Sequence, residues 1–207
     1  MKRTALLILL LPLLCGCAQA PLDVNRFDLI SSLPNVTTAS KEGGAYAVYD
    51  GPGSKVTAAL FEYQNVYVVH LAIENKTSTD VQTKEYSVGL YDGRDYMPLK
   101  ALTRKDLLDF KAQYSKPSGA VASFGAPDVV AALTNVVNTV VPSSRAAILE
   151  SIDHAVDSYY VFRPIYSHET REGIICYLLD FKPEYPITLR VALKGQNIDF
   201  KFMPEKK

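Results

Sequence analysis

The side chains best suited to chemistry in this chain are three histidines, His70, His154 and His168, and three cysteines, Cys15, Cys17 and Cys176. A metal or general-base site needs such groups brought together, and no two histidines stand at ligand spacing. His70 lies inside the strand-like run Val66–Glu74, His154 between Asp153 and Asp157 on the polar side of a helical pattern, and His168 in the polar stretch Ser167–Glu172. Structural or solvated roles account for all three. Asp92-Gly93-Arg94-Asp95 offers carboxylates for calcium, but Asp-Gly is also a hairpin-turn dipeptide, and no further oxygen ligands follow at loop spacing. Cys176 is a possible nucleophile, yet it alternates among Ile174, Ile175, Tyr177 and Leu178, which predicts a buried, inert thiol. The chain has no glycine-rich phosphate loop, nucleophile elbow or HExxH pair, and Ser118 and Ser143-Ser144 read as loop and cap residues. The expectation is a protein that is not an enzyme, with no metal and no cofactor.

Cys15 and Cys17 belong to a different pattern. Met1-Lys2-Arg3 is a short basic start, and Ala5 to Leu14 is an apolar run interrupted only by Pro12. That length suits the core of a secretion signal and falls short of the roughly 20 residues a membrane-spanning helix needs. The run ends in Leu14-Cys15-Gly16-Cys17, which resembles the lipobox of bacterial lipoproteins. The resemblance implies cleavage before Cys17, a diacylglycerol thioether on its sulfur and acylation of the new amine, so residues 1–16 are a signal peptide. Each buried methylene contributes about 0.8 kcal/mol, and stable anchoring takes about two chains. The sorting pattern of such lipoproteins retains those with Asp after the Cys in the inner membrane; Ala18 departs from it and directs the expectation to the outer membrane of a Gram-negative cell. In a bacterial protein, the glycosylation-like triplets Asn35-Val36-Thr37 and Asn75-Lys76-Thr77 read as turns.

Cleavage leaves 20 Lys and Arg against 22 Asp and Glu, a net charge of −2. So balanced a charge gives no reason to expect nucleic acid as a partner. With Cys15 removed and Cys17 acylated, Cys176 has no partner for an intrachain disulfide. Thirteen Tyr, eight Phe and no Trp lean towards strands.

The elements that must position these residues follow from periodicity. Residues 17–44 read as a tether, with Pro21, Pro34 and Gly43-Gly44 as loop-formers and a short apolar segment (Phe27, Leu29, Ile30, Leu33) docking as a helix. From 45 to 207 the chain reads as one β-sandwich domain. Strands are expected at Ala45–Asp50, Val56–Tyr63, Val66–Glu74, Val81–Tyr91, Gly173–Phe181, Ile187–Leu193 and around Ile198, Phe200 and Phe202. Between about 104 and 160 the period changes to that of helices. Thr103 caps Arg104–Tyr114; Val129, Leu133, Val136, Val137 and Val140 share one face after Pro127; and Ile148, Ile152, Ala155, Val156 and Tyr159 share another after Pro142-Ser143-Ser144. The short connection between the latter two predicts an antiparallel helical hairpin.

The segment Val66–Asp95, with its alternating Val and Ile, Asn75-Lys76-Thr77 and Leu90-Tyr91-Asp92-Gly93-Arg94-Asp95-Tyr96, is similar to immunoglobulin-like domains of uncharacterised function in bacterial lipoproteins. Leu178-Leu179-Asp180-Phe181 and Ile187–Leu193 fit the same pattern, and residues 104–160 lie outside it. The resemblance implies an immunoglobulin-like antiparallel sandwich, with Val69, Leu71, Ile73, Asn75 and the Leu90–Tyr96 turn on a central hairpin. It brings no activity.

The expected function is therefore a non-catalytic, membrane-anchored lipoprotein of the cell envelope that binds or helps assemble a protein partner. Tyr159, Tyr160, Phe162 and Tyr166 form the candidate partner surface, since aromatics are enriched both in cores and in interfaces. The helices either cover an open sheet face or dock that partner. The alternative is a periplasmic small-ligand-binding protein or enzyme with its site between the helical insertion and the sheet.

Overall fold

Alternation at every second residue decides most of the architecture. The computed structural model describes residues 24–30, 35–41, 44–63, 66–94, 98–114, 145–179 and 182–205. Among them are nine strands: β1 (Val24–Ile30), β2 (Val36–Lys41), β3 (Gly44–Asp50), β4 (Ser54–Tyr63), β5 (Val66–Asn75), β6 (Tyr86–Tyr91), β7 (Thr170–Leu178), β8 (Ile187–Leu193) and β9 (Gln196–Pro204). Two helices, α1 (Arg104–Tyr114) and α2 (Arg145–Asp157), lie between β6 and β7. The chain is thus mainly β, with two antiparallel sheets and a helical insertion.

The first sheet has the order β2-β3-β4-β5-β7 and the second β1-β9-β8-β6, all neighbours antiparallel. They are joined by β1, whose first residues pair with β4 (Arg26 opposite Phe61) and whose last pair with β9 (Phe27 opposite Pro204). A strand that changes sheets in this way turns one corner of a sandwich. Val56, Ala58, Leu60, Tyr67, Val69, Leu71, Ile73, Ile175 and Tyr177 from the first sheet meet Tyr86, Leu90, Ile187, Leu189, Val191, Ile198, Phe200 and Phe202 from the second. Full burial of each aliphatic or aromatic side chain contributes about 1.5–3 kcal/mol, so this interior dominates stability.

β1 and β2 correct the expected tether. Phe27 is buried and Leu29 packs on the same core, while Asp28 and Ile30 are exposed. Four apolar residues in so short a segment fit a docked helix as readily as a strand, and the sandwich begins at Val24 rather than at 45. The expected central hairpin is also corrected. Val69, Leu71 and Ile73 stand on β5, which pairs with β4 and β7, whereas Leu90 stands on β6, which pairs with β8 in the other sheet.

α1 carries the expected cap. The Thr103 N–H and hydroxyl donate to the Asp106 carboxylate at 2.7 and 2.8 Å, and the Asp106 N–H donates to Thr103 Oγ1 at 3.1 Å. These two satisfy donors that every helix start leaves open. The Thr103 N–H above all, together with its hydroxyl, holds the Asp106 carboxyl below the usual carboxylate range. α1 and α2 run antiparallel: Arg104 Nε donates to the Val156 carbonyl at 3.2 Å, and Lys111 pairs with Asp153. Their apolar residues Leu107, Phe110, Ile152 and Val156 pack on Ile174, Cys176 and Leu178, which face away from the sandwich interior, with Val66 and Val68 beside them. The helix expected after Pro127, with Val129, Leu133, Val136, Val137 and Val140, and its hairpin with the third lie outside the described residues.

β7 would otherwise present a free edge, a template for unwanted pairing. Two short segments close it. Leu102 N donates to the Cys176 carbonyl and Leu178 N to the Lys100 carbonyl, while Tyr160 N donates to the Ile174 carbonyl and Ile174 N to the Ser158 carbonyl.

Candidate functional site

The loop after Tyr160 is held in place by a buried side chain at the end of β5. The Asn75 amide donates to the carbonyls of Thr79 (2.8 Å), Ile165 (3.2 Å) and Tyr166 (3.1 Å), and its Oδ1 accepts the Thr77 N–H (3.1 Å) and hydroxyl (2.7 Å). The Asn75 N–H donates to the Glu169 carbonyl, and Val81 and Ile165 exchange both backbone bonds at 2.9 Å. Buried Arg171 donates to the Pro164 carbonyl at 3.2 Å and pairs with Glu169 at 2.5 Å, whose other oxygen accepts the Tyr166 N–H. The Tyr86 hydroxyl donates to the Arg163 carbonyl and accepts its N–H, and Ser167 N donates to Asp80. So many constraints support a left-handed, non-glycine backbone at His168 (φ 58), a conformation that costs about 1–3 kcal/mol when unsupported.

This frame divides the four expected surface aromatics. Phe162 is 41% exposed and Tyr166 57%, with Val161 beside them at 53%. Phe162 is fixed on its other side by Tyr160 (ring centroids 5.2 Å apart) and Tyr86 (5.9 Å). Tyr160, however, is fully buried in the sandwich core, and Tyr159 is half-buried with its hydroxyl donating to the Leu102 carbonyl at 3.2 Å. Pairing with β7 sends them to opposite sides, Tyr160 into the sandwich core and Tyr159 against the helix-covered cluster, so Tyr160 leaves the expected partner surface and Tyr159 is half withdrawn from it. The signal was in the sequence at Gly173. A Cβ there would stand 2.6 Å from the Tyr160 Cα, so the glycine lets the two backbones approach.

The remaining sequence candidates lie apart. His154 and His168 are exposed, and His70 is half-buried on β5. Asp92 closes the turn after β6. Burial pushes its carboxyl up, but the Arg94 guanidinium and N–H outweigh that and hold it below the usual range. Cys176 is buried under the helices, and burial pushes its thiol up to about 12. Among the described residues no three His, Cys, Asp or Glu side chains cluster as for a metal, and no helix is long and apolar enough to cross a membrane. Cys17 lies outside the described residues.

Sequence reasoning missed a trough on the outer face of the first sheet. Register places Thr37, Val48, Thr57, Ala72 and Glu172 in one row across β2, β3, β4, β5 and β7. Asp50, Lys55, Glu74 and Thr170 form the next row on one side. On the other stand Ala39 opposite Tyr46, and Ala59 opposite His70. Tyr46 and His70 meet edge to face at 6.2 Å, and His70 Nε2 lies 3.5 Å from Glu172 Oε1. Ala39, Tyr46, Val48, Lys55, Thr57, His70, Ala72 and Glu172 line the resulting cavity of about 280 Å³. Each strand's alternation was legible; the alignment of five strands was not.

No family model matches the chain, and no curated protein matches it.

Proposed function

We propose that the mature protein is a non-catalytic, lipid-anchored protein of the bacterial outer membrane that binds a protein partner, with Cys17 as the acylated residue and the 161–168 loop as the binding surface. The sandwich is read as immunoglobulin-like; its two facing antiparallel sheets and its divided first strand support that reading.

The observation that carries the proposal is the position of the loop. From Cys17 to Val24 the chain reaches about 25 Å at full extension. Val24 enters the sandwich opposite Tyr63, beside the first residue of β5. Loop 161–168 is tied to Asn75, the last residue of β5, about 30 Å away along the strand. A tether of that length keeps the entry end near the lipid and turns the loop outward. Apolar groups held there in one conformation lose little entropy on binding, which favours recognition.

The test has two parts. Cys17→Ser should abolish incorporation of labelled palmitate and release the protein from membranes; persistent labelling would overturn the anchor. Val161→Ser combined with Tyr166→Ala, which keeps the Phe162 packing on Tyr160 and Tyr86, should remove a specific crosslinked protein from solubilised membranes and leave the melting temperature nearly unchanged. An unaltered crosslinking pattern would overturn the surface.

A further inference from the structure

The trough on the first sheet shares no lining residue with loop 161–168. Its floor, Val48, Thr57 and Ala72, consists of short side chains in one row across three strands. Taller side chains rise around it. Tyr46 and His70 form one wall, Lys55 stands on the other, and Glu172 closes the end on β7. The floor therefore runs across the strands, and from β3 to β5 it spans about 10 Å. A cavity of about 280 Å³ lies just below the usual size of small-molecule pockets, about 300–1,000 Å³.

The polar groups choose among ligands. Lys55 is flanked in its row by Asp50 and Glu74, and Glu172 is paired with His70. Acidic and basic groups thus alternate around the space, Asp50 being paired with Lys76 as well, and neither an anion nor a cation meets a cluster of opposite charge. The lining does set donors (Lys55, and the hydroxyls of Thr57 and Tyr46) around the same space as an acceptor (Glu172). A ligand hydroxyl both donates and accepts, so a neutral polyhydroxylated molecule satisfies either kind of neighbour without burying an unpaired charge. The Tyr46 ring, already braced by His70, and the Val48 and Ala72 floor offer apolar contact to the C–H face of a ring. Ala59 is buried although it belongs to this outer face, which places the Tyr46 and His70 side chains over the sheet rather than away from it.

We infer that this trough binds a neutral saccharide of one or two rings, seated on Val48, Thr57 and Ala72 against the Tyr46–His70 wall and hydrogen-bonded by Glu172 and Lys55.

The full-length chain should be titrated with N-acetylglucosamine and chitobiose, and separately with glycylglycine and inorganic phosphate, while the ring signals of His70 and Tyr46 are followed by NMR. The sugars should give saturable shifts confined to the trough. Tyr46→Ala and Glu172→Gln should each weaken that binding at least tenfold with the melting temperature retained; neither side chain belongs to the sandwich core or to the cluster under the helices. The inference is overturned if neither sugar gives a saturable shift. It is equally overturned if glycylglycine or phosphate binds more tightly there than the sugars, or if both folded variants bind sugar as the parent does.

Discussion

The outer face of the first sheet is divided between two regions made by the same strands. Towards the start of β5 and the end of β7 the outward residues are Val66, Val68, Ile174, Cys176 and Leu178, and α1 and α2 cover them. Further along the same strands they are His70, Ala72, Glu74, Glu172 and Thr170, and a trough lies open there. Backbone geometry does not distinguish the two. What changes is the outward side chain, from apolar to polar, within two residues of each strand. One face of a sheet can thus serve stability at one end and leave polar groups open at the other, without any change of fold.

Substitutions on the two halves should therefore behave differently. The largest effect belongs to the covered half: Phe110→Ala should cost about 3–5 kcal/mol, read as a clear fall in melting temperature. Equal cost from Thr57→Ala in the trough, where about 0.5 kcal/mol or less is expected, would erase the distinction. Next is Asn75→Ala, at the border with loop 161–168. It removes the second donor to the Ile165 and Tyr166 carbonyls, which keep the Val81 and Glu169 N–H, and the acceptor of the Thr77 N–H and hydroxyl, a loss of about 1–3 kcal/mol. Hydrogen exchange should quicken at Val81 and Ile165 while β8 and β9 remain protected; uniform loss of protection would mean that Asn75 supports the whole sandwich rather than the loop. The smallest is Thr103→Ala at the α1 cap, about 1 kcal/mol near neutral pH. Because the Thr103 N–H, which the variant keeps, and the hydroxyl together hold the Asp106 carboxyl below its ordinary value, the hydroxyl's share of that stabilisation is present above the usual Asp range near pH 4. It is lost as the pH falls through the lowered folded value. The gap between parent and variant should thus narrow in acid, and a gap that stays constant with pH would show that the hydroxyl contributes only through its cap bond from the Asp106 N–H.

Local pattern made much of this protein legible. Val66–Glu74, Ile187–Leu193 and the Arg104–Tyr114 helix with its Thr103 cap were expected within a residue or so of where they lie. The burial of Cys176 followed from its apolar neighbours. Phe162 and Tyr166 were picked out as surface aromatics, but Tyr159 and Tyr160 were grouped with them, since four aromatics within eight residues carry no mark of which will pair with a strand. β1 and β2 escaped notice because a strand with one buried pair, Phe27 and Leu29, differs little in composition from a linker.

What the sequence by itself determined was the type of each long element and its inward side, because side-chain alternation and helix capping are properties of neighbours in the chain. The lipobox-like Leu14-Cys15-Gly16-Cys17 and the absence of a familiar catalytic motif were equally local. Only the tertiary structure decided that β5 and β6 belong to different sheets, that β1 joins both, and that Tyr160 enters the core over Gly173. It also decided that Tyr46, Lys55, His70 and Glu172, spread over more than a hundred residues, surround one space. Strand register couples residues through hydrogen bonds between distant segments, and no pattern within a single segment encodes which segment that will be.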